Sequence, residues 1–277
     1  MTNNEKYNSI MARMNEHYNE ALNYFNEHNI VGLFLQGSQN YTLDLPGSDL
    51  DTKLIVTPPL NDIALARQPI STTHVRANEE HIDWKDIRLY IQTFRKQNLN
   101  FLEILFTPYF MINPMYADEW ARLVAHREAI AHMNPWRAVK SMKGIALEKY
   151  HAMEHAYPSK VDVLAKYHYD PKQLHHLVRV DNYLTRYIAG ESYEDCLIPE
   201  AKMRDFLLEI KSGKYKLADA RSLAQISLTH VNEIADKFCS ETCDEEDAEM
   251  RELLEDVCCN IIKISIKEEL GNNDMST

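Results

Sequence analysis

Two short groups of residues near the start of the chain have the types and spacing for phosphate and metal chemistry. An apolar run over residues 31–35 leads into Gly37-Ser38, and after a spacer of ten residues Asp49, Leu50 and Asp51 follow. Because strand side chains alternate between two faces, we expect Asp49 and Asp51 to point the same way and Leu50 the other. Two carboxylates beside a turn that approaches phosphate favour Mg²⁺-assisted phosphoryl or nucleotidyl transfer.

Each residue type in this pattern has a physical role. Glycine at position 37 lets the backbone turn sharply and come close to a ligand, and Ser38 offers an N–H group and a hydroxyl to triphosphate oxygens. Asp49 and Asp51 suit Mg²⁺, or Mn²⁺ in its place, as hard oxygen donors. Lys53 shares their face and either binds phosphate or forms a salt bridge that holds the acids. A hairpin loop with solvated acids is the alternative interpretation of the whole pattern.

A site with two metal ions needs a further acid on a neighbouring strand, and residues 81–88 supply two candidates. Asp83 and Asp86 lie on opposite faces of the expected strand, so only one of them can point into the site. We favour Asp86, at the strand end, as the third metal ligand and catalytic acid beside Asp49 and Asp51. In this mechanism one ion activates the acceptor hydroxyl, and the other binds the triphosphate and stabilises the departing pyrophosphate.

A second polar group lies in a helix much later in the chain. Asp170 is a good N-cap and Pro171 suits the first helical position. Lys172, His176 and Arg179 then follow at i, i+4 and i+7 and share one helix face. Two cations and a histidine near a helix N-terminus suit a triphosphate or an acceptor phosphate. The alternative is a solvated helix face without a ligand.

Hydrophobic periodicity predicts the elements that must position these residues. Strands are expected over residues 31–36, 50–56, 72–77 and 80–88, with residues 109–112 as an edge strand and residues 5–27 as an amphipathic helix. Helices are then expected over residues 117–128, 133–155, 171–189, 201–212, 216–239 and 246–270. The predicted class is α+β: a small mixed-sheet catalytic domain over residues 1–116, flanked by helices, and an all-helical domain over residues 117–277.

Composition restricts the class of protein further. The length of 277 residues permits two domains, and 45% hydrophobic with 26% charged residues is typical of a globular chain. No apolar run approaches the roughly 18 residues of a membrane span, and the first residues lack a signal-peptide pattern. The five cysteines are few, odd in number and late in the chain. We therefore expect a cytoplasmic protein with no membrane partner.

The formal charge of −12 is unevenly distributed. Residues 137–225 carry 15 Lys and Arg against 12 Asp and Glu, whereas residues 226–277 carry 4 against 14. An acidic chain of this kind is a poor candidate for bulk, non-specific binding to DNA. The net positive middle third leaves room for a local basic site.

The pattern at Gly37-Ser38 and Asp49-Leu50-Asp51 resembles the signature of the DNA-polymerase-β-type nucleotidyltransferase superfamily. The similarity is greater to its RNA-repair-pathway branch, through residues 86–90, 98–106 and 169–179. Gln39-Asn40 departs from that branch, which commonly has Arg-Ala there. The resemblance covers roughly residues 30–215 and implies a polymerase-β-type catalytic domain whose helical partner closes over the nucleotide.

The resemblance implies an enzyme that moves NMP from an NTP, such as ATP, to an acceptor hydroxyl with release of pyrophosphate. An RNA 3′ end is the acceptor it favours, and a protein side chain or a small molecule is the alternative. The predicted nucleotide-binding residues are Gly37, Ser38, Lys53, Lys172, His176 and Arg179. Two other functions remain open: a catalytically degenerate nucleotide-binding regulator or toxin–antitoxin partner, and a metal-dependent hydrolase that uses the same acids.

Overall fold

A computed structural model describes residues 3–274, and its centre is a mixed β-sheet. The strands are β1 (Ile30–Gln36), β2 (Asp51–Val56), β3 (Ser71–Val75), β4 (His81–Asp86) and β5 (Phe110–Ile112). Their order in the sheet is β3-β4-β2-β1-β5. Only β2 and β4 pair in parallel, and the other neighbouring strands are antiparallel. The predicted α+β class with a mixed sheet is confirmed.

Helices precede, interrupt and follow this sheet. Those within the sheet region and before it are α1 (Asn3–Ala21), α2 (Leu60–Ala64), α3 (Ile87–Arg95) and α4 (Leu99–Leu102). After β5 come α5 (Ala117–Ala125), α6 (Arg127–Ala131), α7 (Pro135–Ala152), α8 (Val161–Tyr167), α9 (Pro171–Ile188), α10 (Tyr193–Leu197), α11 (Ala201–Lys211), α12 (Leu217–Glu241) and α13 (Ala248–Asp274). Short 3₁₀ turns occupy Glu27–Asn29, Ser38–Tyr41, Glu103–Leu105, Pro114–Tyr116 and Pro158–Lys160.

The two faces of the sheet pack against different helices. One face presents Leu33, Leu54 and Trp84 to α1, which contributes Ile10 and Met14 to the same buried cluster. The other face contributes to a larger core that continues through α3, α4 and the helices after residue 116. Burial of these apolar side chains is the main force that fastens both layers to the sheet.

Strand register brings the two parts of the acidic motif together. β1 runs antiparallel to β2, so Gln36 at the end of β1 lies opposite Asp51 at the start of β2. The Gly37-Ser38 turn that follows β1 is therefore beside the acids that precede and begin β2. In the parallel pair, Lys53 lies opposite Asp83 and Val56 lies opposite Asp86.

The C-terminal helix α13 returns to the sheet region. The Ser265 hydroxyl lies 2.7 Å from the Thr57 hydroxyl just after β2, and Arg95 of α3 pairs with Glu246 at 2.7 Å. A common core and these polar contacts connect the residues before and after position 116. None of the helices within residues 3–274 combines the length and apolar character that crossing a bilayer requires.

Candidate functional site

A cavity of about 400 Å³ lies where the end of β1 and the start of β2 meet α7, α9 and α11. Its sheet side carries the predicted turn and acids, Gly37, Ser38, Asp49 and Asp51. Its helical side carries only cations and a histidine among its charged or titratable groups, Lys149, Lys172, His176, Arg179 and Lys211. The fold thus brings the two motifs, more than 100 residues apart in the chain, to opposite walls of one cavity.

The acidic wall is built on the first residue of β2. One oxygen of the Asp51 carboxylate accepts hydrogen bonds from the backbone N–H of His81 at 3.2 Å and from its ring at 3.1 Å. Asp49 precedes the strand and is exposed at the cavity. The two carboxylates remain open to a ligand, because neither is neutralised by a Lys or Arg ion pair among the described residues.

The turn after β1 is held by Gln39 and Asn40, the two residues that differ from the Arg-Ala of the RNA-repair-pathway branch. Gly37 has φ of 99°, in the region that favours glycine, and the 3₁₀ turn Ser38–Tyr41 follows it. The Gln39 amide donates to the backbone carbonyl of Asp49 at 3.3 Å. The Asn40 amide donates to the carbonyl of Leu35 at 3.0 Å. Gln39 and Asn40 therefore fix the turn relative to β1 and the acids.

Asp86 does not reach this site, and our preference for it as the third acid requires correction. It lies beside Val56, at the far end of β2 from Asp51, and on the α1 face of the sheet. Its carboxylate caps α3 by accepting the Arg88 backbone N–H at 2.8 Å and also binds the Arg88 guanidinium at 2.6 Å. The strand ends at this residue because Asp86 is the N-cap of the next helix.

Asp83 and Lys53 form a pair on the same sheet face as Asp51. The Lys53 ammonium lies 3.4 Å from the Asp83 carboxylate and 4.0 Å from the centre of the Phe101 ring. Burial lowers the pKa of Lys53 to about 8, although Asp83 opposes the change. Neither residue lines the cavity. Of the two roles considered for Lys53, the structure therefore favours the salt bridge, made with Asp83, over phosphate binding.

The basic wall is centred on α9, and the predicted cap of this helix is present. Asp170 accepts the backbone N–H of Lys172 at 2.8 Å, and Pro171 is the first helical residue. Lys172, His176 and Arg179 all line the cavity from this helix. Burial lowers the pKa of His176 well below its usual value, so the ring carries no charge at neutral pH. Adjacent His175 instead packs inward and contacts the carbonyl of Leu207 at 2.9 Å.

Arg179 is the most informative side chain of this wall. It is only 8% exposed, and its guanidinium carbon lies 3.6 Å from the centre of the Tyr41 ring. Its Nε and Nη2 atoms are buried without a hydrogen-bond partner among residues 3–274. Burial lowers the pKa of this arginine below its usual value. Because unpaired buried donors are costly, these atoms indicate a ligand that accepts hydrogen bonds, preferably an anion.

Two cations of the cavity were not predicted from the sequence. Lys149 comes from α7, and Lys211 is the last residue of α11. The Lys211 ammonium donates to the backbone carbonyl of Leu43 at 2.7 Å, and burial lowers its pKa to about 8, with Lys172 adding to the effect. The net positive charge of residues 137–225 was the available signal. It could not identify positions, since these depend on how three separate helices pack.

The donor set at the acidic wall fits a hard divalent cation. Asp49 and Asp51 offer carboxylate oxygens, the ligands that Mg²⁺ prefers. Within the described residues, no group of three or more His, Cys, Asp or Glu side chains is arranged to hold an ion. The protein therefore supplies two carboxylates, and phosphate oxygens and water would have to complete the coordination.

In comparisons with known proteins, no family model matches the sequence and no curated protein matches it. The family assignment thus stays a prediction from the residues that carry the resemblance.

Proposed function

We propose that the chain is a Mg²⁺-dependent nucleotidyltransferase that moves NMP from an NTP to an acceptor hydroxyl and releases pyrophosphate. The observation that carries the proposal is the arrangement across one cavity. Asp49 and Asp51 line one wall, and the buried guanidinium of Arg179, with unpaired donors, lines the other. A triphosphate with a divalent cation satisfies both walls at once, since its oxygens accept from arginine and share the cation with the carboxylates.

The roles of the residues follow from their chemistry. Asp49 and Asp51 would hold Mg²⁺, which supplies Lewis-acid neutralisation of the phosphate charge when bound. Ser38 would donate its hydroxyl to phosphate from the turn, and Arg179 would donate its Nε–H and Nη2–H groups from the opposite wall. Lys172 and Lys211 would add positive charge where negative charge develops on the leaving pyrophosphate.

The acceptor would enter from the open side of the cavity. The basic wall suits an acceptor that carries phosphate, such as a structured RNA end, which the resemblance also favours. A protein hydroxyl or a small molecule is the alternative acceptor.

One assay tests the proposal. Purified protein, Mg²⁺ and each of the four NTPs labelled on the α-phosphate are incubated with total RNA, with a protein extract or with small metabolites. We expect label in one acceptor class together with release of pyrophosphate. Asp49→Ala and Asp51→Ala should abolish transfer while the proteins stay folded by circular dichroism. Transfer that persists in both variants would rule out this site.

A nucleotide-binding regulator is the second candidate, and one observation favours it. Asp86 is remote from the cavity, and Asp83 is engaged by Lys53, so the cavity has two acids and not three. If the chain is such a regulator, it should bind nucleotide with Mg²⁺, and Asp51→Ala should weaken that binding. No acceptor should become labelled. Hydrolysis without a labelled acceptor would instead indicate the metal-dependent hydrolase.

A further inference from the structure

A buried histidine of α1 lies behind the acidic wall, on the opposite face of the sheet from the cavity. The side chain of His17 is fully buried in the layer that contains the apolar residues Ile10 and Met14. Its Nδ1 atom lies 2.9 Å from the hydroxyl of Thr52 in β2. Its Nε2 atom lies 2.9 Å from the carboxylate of Glu80, the residue directly before β4. A polar ring in an apolar layer is costly unless both nitrogens find partners, and here both do.

The partners determine which ring nitrogen of His17 carries the hydrogen. The Glu80 carboxylate is 4% exposed, and its other hydrogen bonds come from Arg13, Arg76 and Asn78. Burial acts to raise the pKa of Glu80, but the hydrogen bonds lower it to about 2, so the carboxylate only accepts. Nε2 of His17 is therefore the donor. Burial lowers the pKa of His17, so the ring is neutral and Nδ1 accepts from the Thr52 hydroxyl.

Each partner of His17 is one residue away from the contact that holds Asp51. Thr52 follows Asp51 in β2 and points to the opposite face of the sheet. Glu80 precedes His81, whose backbone N–H donates to one Asp51 oxygen at 3.2 Å and whose ring contacts the same oxygen at 3.1 Å. β2 and β4 are paired strands, so one ring connects the starts of both. Both contacts go to a single oxygen, which leaves the other oxygen of Asp51 to a cation.

We propose that His17 is a positioning residue, which fixes the starts of β2 and β4 so that Asp51 presents its carboxylate to the cation in the cavity. This inference rests on the proposed Mg²⁺-dependent function. His17 does not touch the substrate, and it acts through Thr52 on one strand and through Glu80 on the other. Apolar packing alone would hold α1 on the sheet, but it is non-directional, whereas two hydrogen bonds fix the strands in one arrangement.

Substitutions of Thr52 test the first of these connections without changing the ring. Thr52→Val removes the hydroxyl at nearly the same shape, and Thr52→Ser keeps it. We expect Thr52→Val to lower kcat of labelled transfer, per folded molecule, at least about tenfold, because the reacting groups are displaced. Thr52→Ser should stay within about threefold of wild type. Nucleotide binding measured by calorimetry without a divalent cation should be the same in all three proteins, since the basic wall is unchanged.

Substitutions of His17 test the two connections separately. In His17→Asn the amide oxygen replaces Nδ1, so the bond to Thr52 is kept and the bond to Glu80 is lost. In His17→Gln the amide nitrogen replaces Nε2, so the bond to Glu80 is kept and the bond to Thr52 is lost. We expect each variant to retain more transfer than His17→Leu, which loses both bonds.

Metal binding and hydrogen exchange supply readouts that need no acceptor. Mn²⁺ alone, measured by electron paramagnetic resonance, should bind at least about threefold more weakly to Thr52→Val than to Thr52→Ser. The His81 amide should exchange faster in Thr52→Val, because its acceptor Asp51 is less well held. Thr72→Val, at an exposed threonine of β3, is the matched control and should behave as wild type in every measurement.

The outcomes distinguish this proposal from the proposed function. If wild type transfers label and Thr52→Val has the same kcat, the positioning role fails and the proposed function stands. Equal losses in Thr52→Val and Thr52→Ser would also overturn the positioning role, because the hydroxyl would not be the cause. If wild type transfers no label, the proposed function fails and Mn²⁺ binding decides about His17. Weaker binding to Thr52→Val than to Thr52→Ser then supports the positioning role, and equal binding overturns it.

Discussion

The Arg179 guanidinium carbon lies 3.6 Å from the centre of the Tyr41 ring, and this contact joins α9 to the turn after β1. One face of the guanidinium makes a cation–π contact with the ring. The Nε and Nη2 atoms at its edge are buried without hydrogen-bond partners among the described residues. A stacked arginine with free edge donors is prepared for a planar or bidentate acceptor such as phosphate.

Replacing this arginine should raise stability and lower affinity at the same time. Arg179→Met keeps much of the volume and removes a buried charge that lacks hydrogen-bond partners, so the free energy of unfolding should rise by about 1 kcal/mol. Nucleotide binding should weaken at least tenfold, because hydrogen bonds to a charged donor are lost. Urea unfolding and calorimetry measure the two quantities. A variant that is both less stable and equally tight in binding would contradict this account of Arg179.

Two aspartates should respond in opposite ways to the same substitution. Asp51→Asn should abolish transfer with little loss of stability, because the residue begins β2 at the cavity. Asp86→Asn should keep the activity of each folded molecule and lower the free energy of unfolding by about 1–3 kcal/mol, since it breaks the bond to Arg88. Specific activity per folded protein and urea unfolding are the measurements. Inactivation by Asp86→Asn at full stability would restore it as a catalytic acid.

Local secondary structure could be predicted from the sequence better than contacts between residues that are far apart in the chain. Hydrophobic periodicity and helix capping act over a few residues. They are enough to predict the strands, the cap of α9 and the helix face with Lys172 and His176. The third acid could not be predicted in the same way. Its choice depends on strand register and on which sheet face is covered, and Asp86 lies on the α1 face.

The basic wall of the cavity could be predicted only in part for a similar reason. Lys172, His176 and Arg179 share one helix, so their spacing alone places them on one face. Lys149 and Lys211 were missed because their helices reach the cavity only through tertiary packing.

Lys211 should make nucleotide binding sensitive to alkaline pH. Its pKa is lowered to about 8 by burial, so in the free protein the ammonium loses its proton at lower pH than an ordinary lysine. Because phosphate binds the protonated form, affinity should fall as pH rises above about 8. Lys211→Arg should keep its affinity to higher pH, and calorimetry between about pH 7 and pH 9.5 measures both. The matched control is Lys214→Arg, whose side chain is exposed and bound to Glu209.

Glu103, a buried acid that begins the 3₁₀ turn after α4, should make the stability of the protein depend on pH. Burial raises its pKa to about 8 from a usual value of 4.5. Between these values the folded protein holds a proton that the unfolded chain has released, so this group makes the folded state less stable as pH rises. Its contribution is fully present below pH 4.5 and is lost as pH rises through about 8.

Urea unfolding of wild type and Glu103→Gln between about pH 5 and pH 8 tests this expectation. Glutamine does not titrate, so the free energy of unfolding of wild type should fall relative to the variant by at most about 1.4 kcal/mol per pH unit. Glu233→Gln, on the exposed side of α12, serves as the control and should follow wild type. Parallel curves for wild type and Glu103→Gln would show that the carboxyl is not held in its protonated form by burial.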